Sequence, residues 1–405
     1  MTAGAAPLHS AGQSGSPATA RIPGELYIGR IFAFLSFWCF LLNGTAVRSE
    51  YVVFASAGFG GLALIAMGPR LANLPHYYKW MMAILFLAIF LVMFKVTYYP
   101  VAFTFLAVVP AGMAVALYIE AFPKFFRVRW VLYASLAYFY VAVLLLGVSA
   151  EIVFAGSRNQ ISVLFLSLGV LVLVLDTRRE DVILAIVIFW ACVLSVGSGG
   201  IVAGLILMAA VVFRQNSRAW IKAAVFFFAI MTVVGLQIYI LYYAPPEFVT
   251  KFSLERLTGT DPRFQIIASY ADRYLTGDFL LLGAPDDYAF YTYSEISSGG
   301  IWAYVNSLHN SYLSVHAKVG ILALGVFALI AKVLWALRGN LFHAMLFTVL
   351  LVRAFADSVY ILDGYYNFAF YFFFILASHA HAARQQRSPG FAARAMPLPA
   401  PARSP

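Results

Sequence analysis

Charge is what this sequence has least of. Only 11% of its 405 residues are Asp, Glu, Lys or Arg, whereas 63% are hydrophobic, and the mean hydropathy is +0.86. A soluble domain is about one quarter charged, so water cannot solvate the whole surface of this chain and lipid must cover much of it. Cysteine is nearly absent. Cys39 and Cys192 both lie in apolar runs, where they read as packing residues, not as a disulfide or a thiolate metal pair. The sequence also lacks an HExxH helix, a CxxC pair, a P-loop, a GxGxxG turn and a GxSxG elbow, and its seven histidines are scattered. These absences remove the usual zinc, nucleotide and serine-hydrolase sites. Asp286 and Asp287, in the sequence GAPDD, read first as a turn cap, with a carboxylate metal motif as the alternative.

What the chain has in abundance is apolar length. Runs suited to crossing a hydrocarbon core of roughly 30 Å occur at about 28–47, 51–68, 80–96, 101–119, 130–149 and 161–175. They continue at about 182–197, 199–213, 220–243, 311–334, 340–356 and 366–382. The expected fold is therefore all-α and integral to a membrane, with about 12 transmembrane helices. With the N-terminus in the cytoplasm, 18 of the 27 basic residues fall in cytoplasmic segments, as the positive-inside rule requires. The net charge of +10 is then mainly a topology signal and no nucleic-acid partner is implied.

Residues 1–25, rich in Gly, Ser and Pro, are expected to be a disordered cytoplasmic N-terminus. They lack the basic, apolar and small-residue succession of a cleaved signal peptide. Residues 26–243 hold helices 1–9, 244–310 form one large external loop, and 311–383 hold helices 10–12. Residues 384–405 form a disordered, basic cytoplasmic tail. A connection of about 65 residues is usually functional. This one opens on Pro245 and Pro246, which stop the preceding helix, and within it FQIIASYADRY reads as a short amphipathic interfacial helix. The aromatic stretch DDYAFYTYSEISSGGIWAYVN, with Trp302, suits stacking on sugar rings or packing on the membrane. No internal repeat suggests duplicated halves.

Where the loop returns to lipid, the segment HNSYLSVHAKVG runs from His309 to Gly320. Asn310 or Ser311 can cap the helix that follows. An imidazole at 309 can be neutral near pH 7 and take a proton from a hydroxyl; a polar interfacial histidine is the plainer reading. This segment resembles the signature of the O-antigen ligase and O-antigen polymerase superfamily, His-Asn (or Ser or Gln), nine intervening residues and then Gly, at the exit of the large periplasmic loop; His309, Asn310 and Gly320 match it. Upstream, TGTDPRFQIIASYADRYLTGDFLLLGAP is similar to the family's loop pattern, with Arg263 as the loop arginine and Leu282-Gly283 in the later turn. The resemblance spans roughly residues 155–360.

The resemblance implies a cofactor-independent glycosyltransferase of the bacterial inner membrane, with both termini cytoplasmic. Its donor would be an undecaprenyl-pyrophosphate-linked glycan and its acceptor a glycan hydroxyl. A flippase and a chain-length regulator of the same pathway would be further partners. His309 would be the base and Arg263 would hold the pyrophosphate, helped by Arg158 or Arg273, because guanidinium forks stay charged and match phosphate oxygens. No metal is assigned a role. Asn310, Lys318, Arg353 and Trp302 complete the expected substrate-binding set. Arg353 and Asp357, four residues apart, share a helix face and can also form a structural pair. Lys318 has no oppositely charged helix neighbour and is expected to face a hydrated, anion-accepting cavity.

Two departures separate the chain from the ligase pattern: Gly199 stands where the family's Ser-Arg-Gly turn has arginine, and Ala323 where ligases carry Gly, Thr or Tyr. They favour a polymerase over a ligase acting on lipid A-core, and leave Arg158 as a candidate replacement charge. The competing class is a transporter such as a lipid-linked sugar flippase, which twelve spans also fit but which usually shows repeated halves.

Overall fold

Helices dominate the computed structural model, which describes residues 24–45, 49–93, 105–153, 158–176, 180–195, 198–215, 262–284, 290–294, 301–305, 310–362 and 366–387, with a few isolated positions between them. The helices are α1 (Gly24–Thr45), α2 (Glu50–Ile65), α3 (His76–Met93), α4 (Phe105–Ala121), α5 (Pro123–Phe126), α6 (Val128–Tyr140), α7 (Ala150–Val153), α8 (Arg158–Leu175), α9 (Asp181–Leu194) and α10 (Ser198–Gln215). After the long connection come α13 (Ser311–Val319), α14 (Ala323–Leu337), α15 (Leu341–Ala356) and α16 (Asn367–Arg387). Within that connection lie α11 (Pro262–Tyr274), α12 (Gly277–Leu282) and a two-stranded antiparallel hairpin, β1 (Phe290–Ser294) with β2 (Ile301–Val305).

Eleven of the twelve apolar runs coincide with these helices; the ninth, 220–243, lies almost wholly outside the described residues, as do both chain ends. By length and apolarity, two helical stretches among the described residues, Pro123–Leu145 and Ser311–Leu337, suffice to cross a bilayer, and the others are shorter apolar helices. Neither long stretch is one uninterrupted α-helix. The first contains Arg127 in a left-handed conformation and ends in a π-turn over Val141–Leu145. The second, expected to run unbroken from 311 to 334, is interrupted at Gly320.

The centre of the bundle is α16, whose segment Phe368–Ile375 is buried and which packs against α3, α4, α8 and α14. Helix α8 is buried from Gln160 to Val172. Hydroxyls pin neighbouring helices to one another's carbonyls: Ser36 Oγ donates to Ser56 O (2.7 Å), Tyr118 OH to Ala63 O (3.2 Å) and Tyr140 OH to Val187 O (2.7 Å). Such bonds cross-link neighbouring helices directly. On the outside, Trp80, Phe86, Phe90, Leu144, Leu145 and Trp335 are each more than half exposed.

Polar chemistry divides between the two ends of the bundle. At one end Arg129 pairs with Asp181 (3.1 Å) and Asp176 (3.3 Å), Arg384 donates to Ala336 O (2.7 Å), and His379 meets Glu120 (2.8 Å). Arg30, Arg214 and Arg338 lie over aromatic rings at this same end. The opposite end gathers the start of α8, the start of α10, the end of α15 and the return from the long connection. These last elements frame the candidate site.

Candidate functional site

The His-Asn-x9-Gly spacing is the length of one capped helix. Asn310, 4% exposed, is the N-cap of α13, and its side-chain oxygen accepts from the backbone N–H groups of Tyr312 (2.9 Å) and Leu313 (3.1 Å). That satisfies two of the orphan donors at the helix start. Nine helical residues follow, and Gly320 ends the helix with φ +54° and ψ −133°, its N–H bonding the carbonyl of His316. An L side chain is strained at that φ. His309 itself lies outside the described residues; its neighbours Leu308 and Asn310 are both buried.

Gly320 does a second thing that spacing alone does not reveal. A Cβ there would fall inside the backbone of Leu281 and Leu282, at the end of α12. Reciprocally, Gly283, with φ +84°, brings its α-carbon so close to α13 that a Cβ would sit 2.5 Å from His316 O and 2.6 Å from Ala317 O. The two glycines of the sequence pattern therefore form a backbone-to-backbone clasp between the long connection and the returning helix. Around it a small buried cluster, separate from the main core, unites Ile266, Tyr270, Ala284, Leu308 and Ala317.

Two residues that sequence reasoning passed over tighten this junction. Tyr270 OH lies 2.7 Å from His316 Nδ1, with the rings edge-to-face, and His316 Nε2 lies 3.2 Å from Leu280 O. Tyr270 is fully buried and His316 is 8% exposed. His316 lies in the same HNSYLSVHAKVG segment, within α13, and its place in that segment was the signal available to find it.

The α13 start is held from its other side by the irregular segment 357–362. Ser311 Oγ lies 2.6 Å from Asp357 O and 2.7 Å from Val359 O, and also 2.7 Å from the Val359 N–H it accepts. Lys318 reaches the same segment. Its ammonium donates to Leu362 O at 2.7 Å, because non-helical backbone inside a bundle needs donors for its carbonyls. Lys318 thus helps hold the 357–362 segment.

Arg353 is 1% exposed, donating from Nε to Ser162 Oγ (3.2 Å) and pairing with Asp357 at 3.4 Å. The expected four-residue pair is present, and Ser162 joins it from α8. At Gly199 a Cβ would collide with Ala356 Cβ and stand 3.6 Å from Arg353 Nη1. Among the described residues, a guanidinium beside position 199 is that of Arg353, and close packing of α10 on α15 explains why only glycine fits. Gly200 continues this approach, since a Cβ there would meet Ser162 Oγ at 2.6 Å.

The remaining expected residues are placed less completely. Arg263 lies in the first turn of α11 and Arg158 begins α8; both side chains fall outside the described residues. Arg273, on the last turn of α11, is exposed. The amphipathic helix expected at FQIIASYADRY is α11. Trp302 is on β2, opposite Tyr293 of β1. The hairpin was not anticipated, although two aromatic, β-rich runs flanking ISSGG carry its pattern. Among the described residues, no three His, Cys, Asp or Glu side chains cluster closely enough to hold a metal ion. Comparison with known proteins places no family name on this arrangement: no protein-family model matches the chain, and neither a curated protein nor a solved structure gives a significant match.

Proposed function

We propose that this chain is an integral membrane glycosyltransferase that joins undecaprenyl-pyrophosphate-linked repeat units into an exopolysaccharide or O-antigen at the periplasmic face of the bacterial inner membrane. The observation that carries the reading is the docking of α11, the helix bearing Arg263 and Arg273, onto the capped helix that immediately follows His309. The apolar, uncovered outer face and the gathering of arginines at the far end of the bundle support a bilayer orientation with that end cytoplasmic.

In this mechanism an acceptor hydroxyl attacks the anomeric carbon of the donor glycan. His309 takes the hydroxyl proton while the C1–O bond to the carrier breaks and its electron pair leaves on the pyrophosphate. Arg263 and Arg273, on the first and last turns of one 13-residue helix, offset the growing negative charge. Arg353 and Lys318 support the site from beneath by fixing the segment that holds Ser311. Gly199 and Ala323 favour repeat-unit polymerisation over transfer to lipid A-core. The partners of such an enzyme are the lipid-linked donor, the growing glycan, and the flippase and chain-length regulator of its pathway.

The test is reconstitution of the full chain in proteoliposomes with lipid-linked repeat units. A ladder of products without lipid A-core, abolished by His309→Ala and by Arg263→Ala, is the expected result. Strict dependence on lipid A-core would reassign the chain as a ligase. Normal polymer output in both variants, with loss on changing Lys318 or Arg353, would favour a transporter instead.

A further inference from the structure

We infer that His316 is a positioning residue: through Tyr270 and the Leu280 carbonyl it locks the arginine-bearing helix α11 and the α12 turn onto the helix that follows His309. The inference rests on the functional reading above for what is positioned, and on geometry for how. The partners constrain the imidazole. A carbonyl can only accept, so the ring nitrogen 3.2 Å from Leu280 O carries a proton, and in the neutral tautomer that this selects, the other, 2.7 Å from Tyr270 OH, accepts from the phenol. The ring bridges chain segments 46 and 36 residues away.

The surroundings make the bridge matter. Tyr270 is fully buried among Ile266, Ala284, Leu308 and Ala317, where an unpaired hydroxyl or imidazole nitrogen is costly. The clasp of Gly283 on Gly320 fixes how far α12 stands from α13, but backbone contact at one point leaves rotation about it. Bonds from His316 to α11 and to α12 supply two further points and so fix the angle. The consequence is a set orientation of the Arg263–Arg273 helix relative to the chain entering α13.

Glutamine separates this role from simple filling of space, since it can accept through Oε1 and donate through Nε2, whereas leucine can do neither. Hydrogen exchange is followed in the full chain in nanodiscs for wild type, Tyr270→Phe, His316→Leu, His316→Gln and the Tyr270→Phe/His316→Leu pair, with polymer formation measured alongside. The expected result is about tenfold faster exchange across residues 264–284 in each of the first two single variants, and little more in the pair because they share one interaction. His316→Gln should restore most of the protection, and exchange in α16 should stay unchanged throughout. Transfer should fall in Tyr270→Phe and His316→Leu and recover in His316→Gln. Unchanged exchange in His316→Leu overturns the inference, as does additivity in the pair. Faster exchange with undiminished transfer overturns the positioning role. A wild-type chain that shows the expected exchange but no transfer overturns the functional reading above and leaves the docking role of His316 standing.

Discussion

Replacing Gly320 with alanine isolates the clasp from the chemistry, because it removes no titratable or charged group. Two costs arise. At φ +54° and ψ −133° an L side chain stores backbone strain of about 1–3 kcal/mol. The new methyl also falls inside the Leu281 carbonyl, which is backbone and cannot rotate away, so α12 must lift off α13. Undocking exposes the cluster around Ile266 and Tyr270, and burial of one such side chain is worth roughly 1.5–3 kcal/mol. A local loss of about 3 kcal/mol corresponds to roughly a hundredfold faster opening. Hydrogen exchange across residues 264–284 reads it directly, with α16 as the internal control. Gly283→Ala strains the mirror contact, against His316 O and Ala317 O, so the double variant should cost less than the sum of the two singles. Protection within about threefold of wild type in Gly320→Ala, or strict additivity, would refute the clasp.

Other outcomes are equally specific. Arg353→Ala removes the guanidinium that Asp357 and Ser162 both contact and should cost about 1–3 kcal/mol of stability in detergent denaturation; removing Asp357 as well should recover part of that loss. Asn310→Ala should cost about 1 kcal/mol as a lost N-cap, whereas Ser311→Ala leaves the Val359 N–H without its acceptor and should cost about 1–3 kcal/mol; equal effects would argue against the Ser311 bridge. At the basic end, desolvation lowers the pKa of His76 below 6.5, with His381, Lys332 and Lys79 adding to the effect. Its neutral ring is therefore favoured in the folded state, and the stability it lends to the α3–α16 contact is lost as pH falls through the depressed value. An NMR titration of the His76 ring should show a midpoint below 6.5, and a midpoint at or above it contradicts this reading.

Apolar run length told nearly the whole helical layout, because a chain with so little charge has few ways to satisfy its backbone except helices. Eleven runs reappear as helices, and the Asn310 cap was readable from residue type. The Arg353–Asp357 pair was readable from its four-residue spacing. What spacing could not reveal was which groups meet across 40 or more residues. The bond from Lys318 to Leu362 O could not be read, because backbone acceptors leave no mark in sequence. Tyr270 was one aromatic among 24 tyrosines until burial singled it out.

The sequence by itself determined the periodic and local features: the apolar runs, the Asn310 cap, and the amphipathic α11. Only tertiary structure decided that Gly283 and Gly320 touch, that His316 bridges α11 and α12, and that Arg353 stands beside Gly199. The reason is physical. Helix formation and capping are settled by neighbours within four residues, whereas a close backbone approach or a side-chain bridge exists only once distant segments have packed.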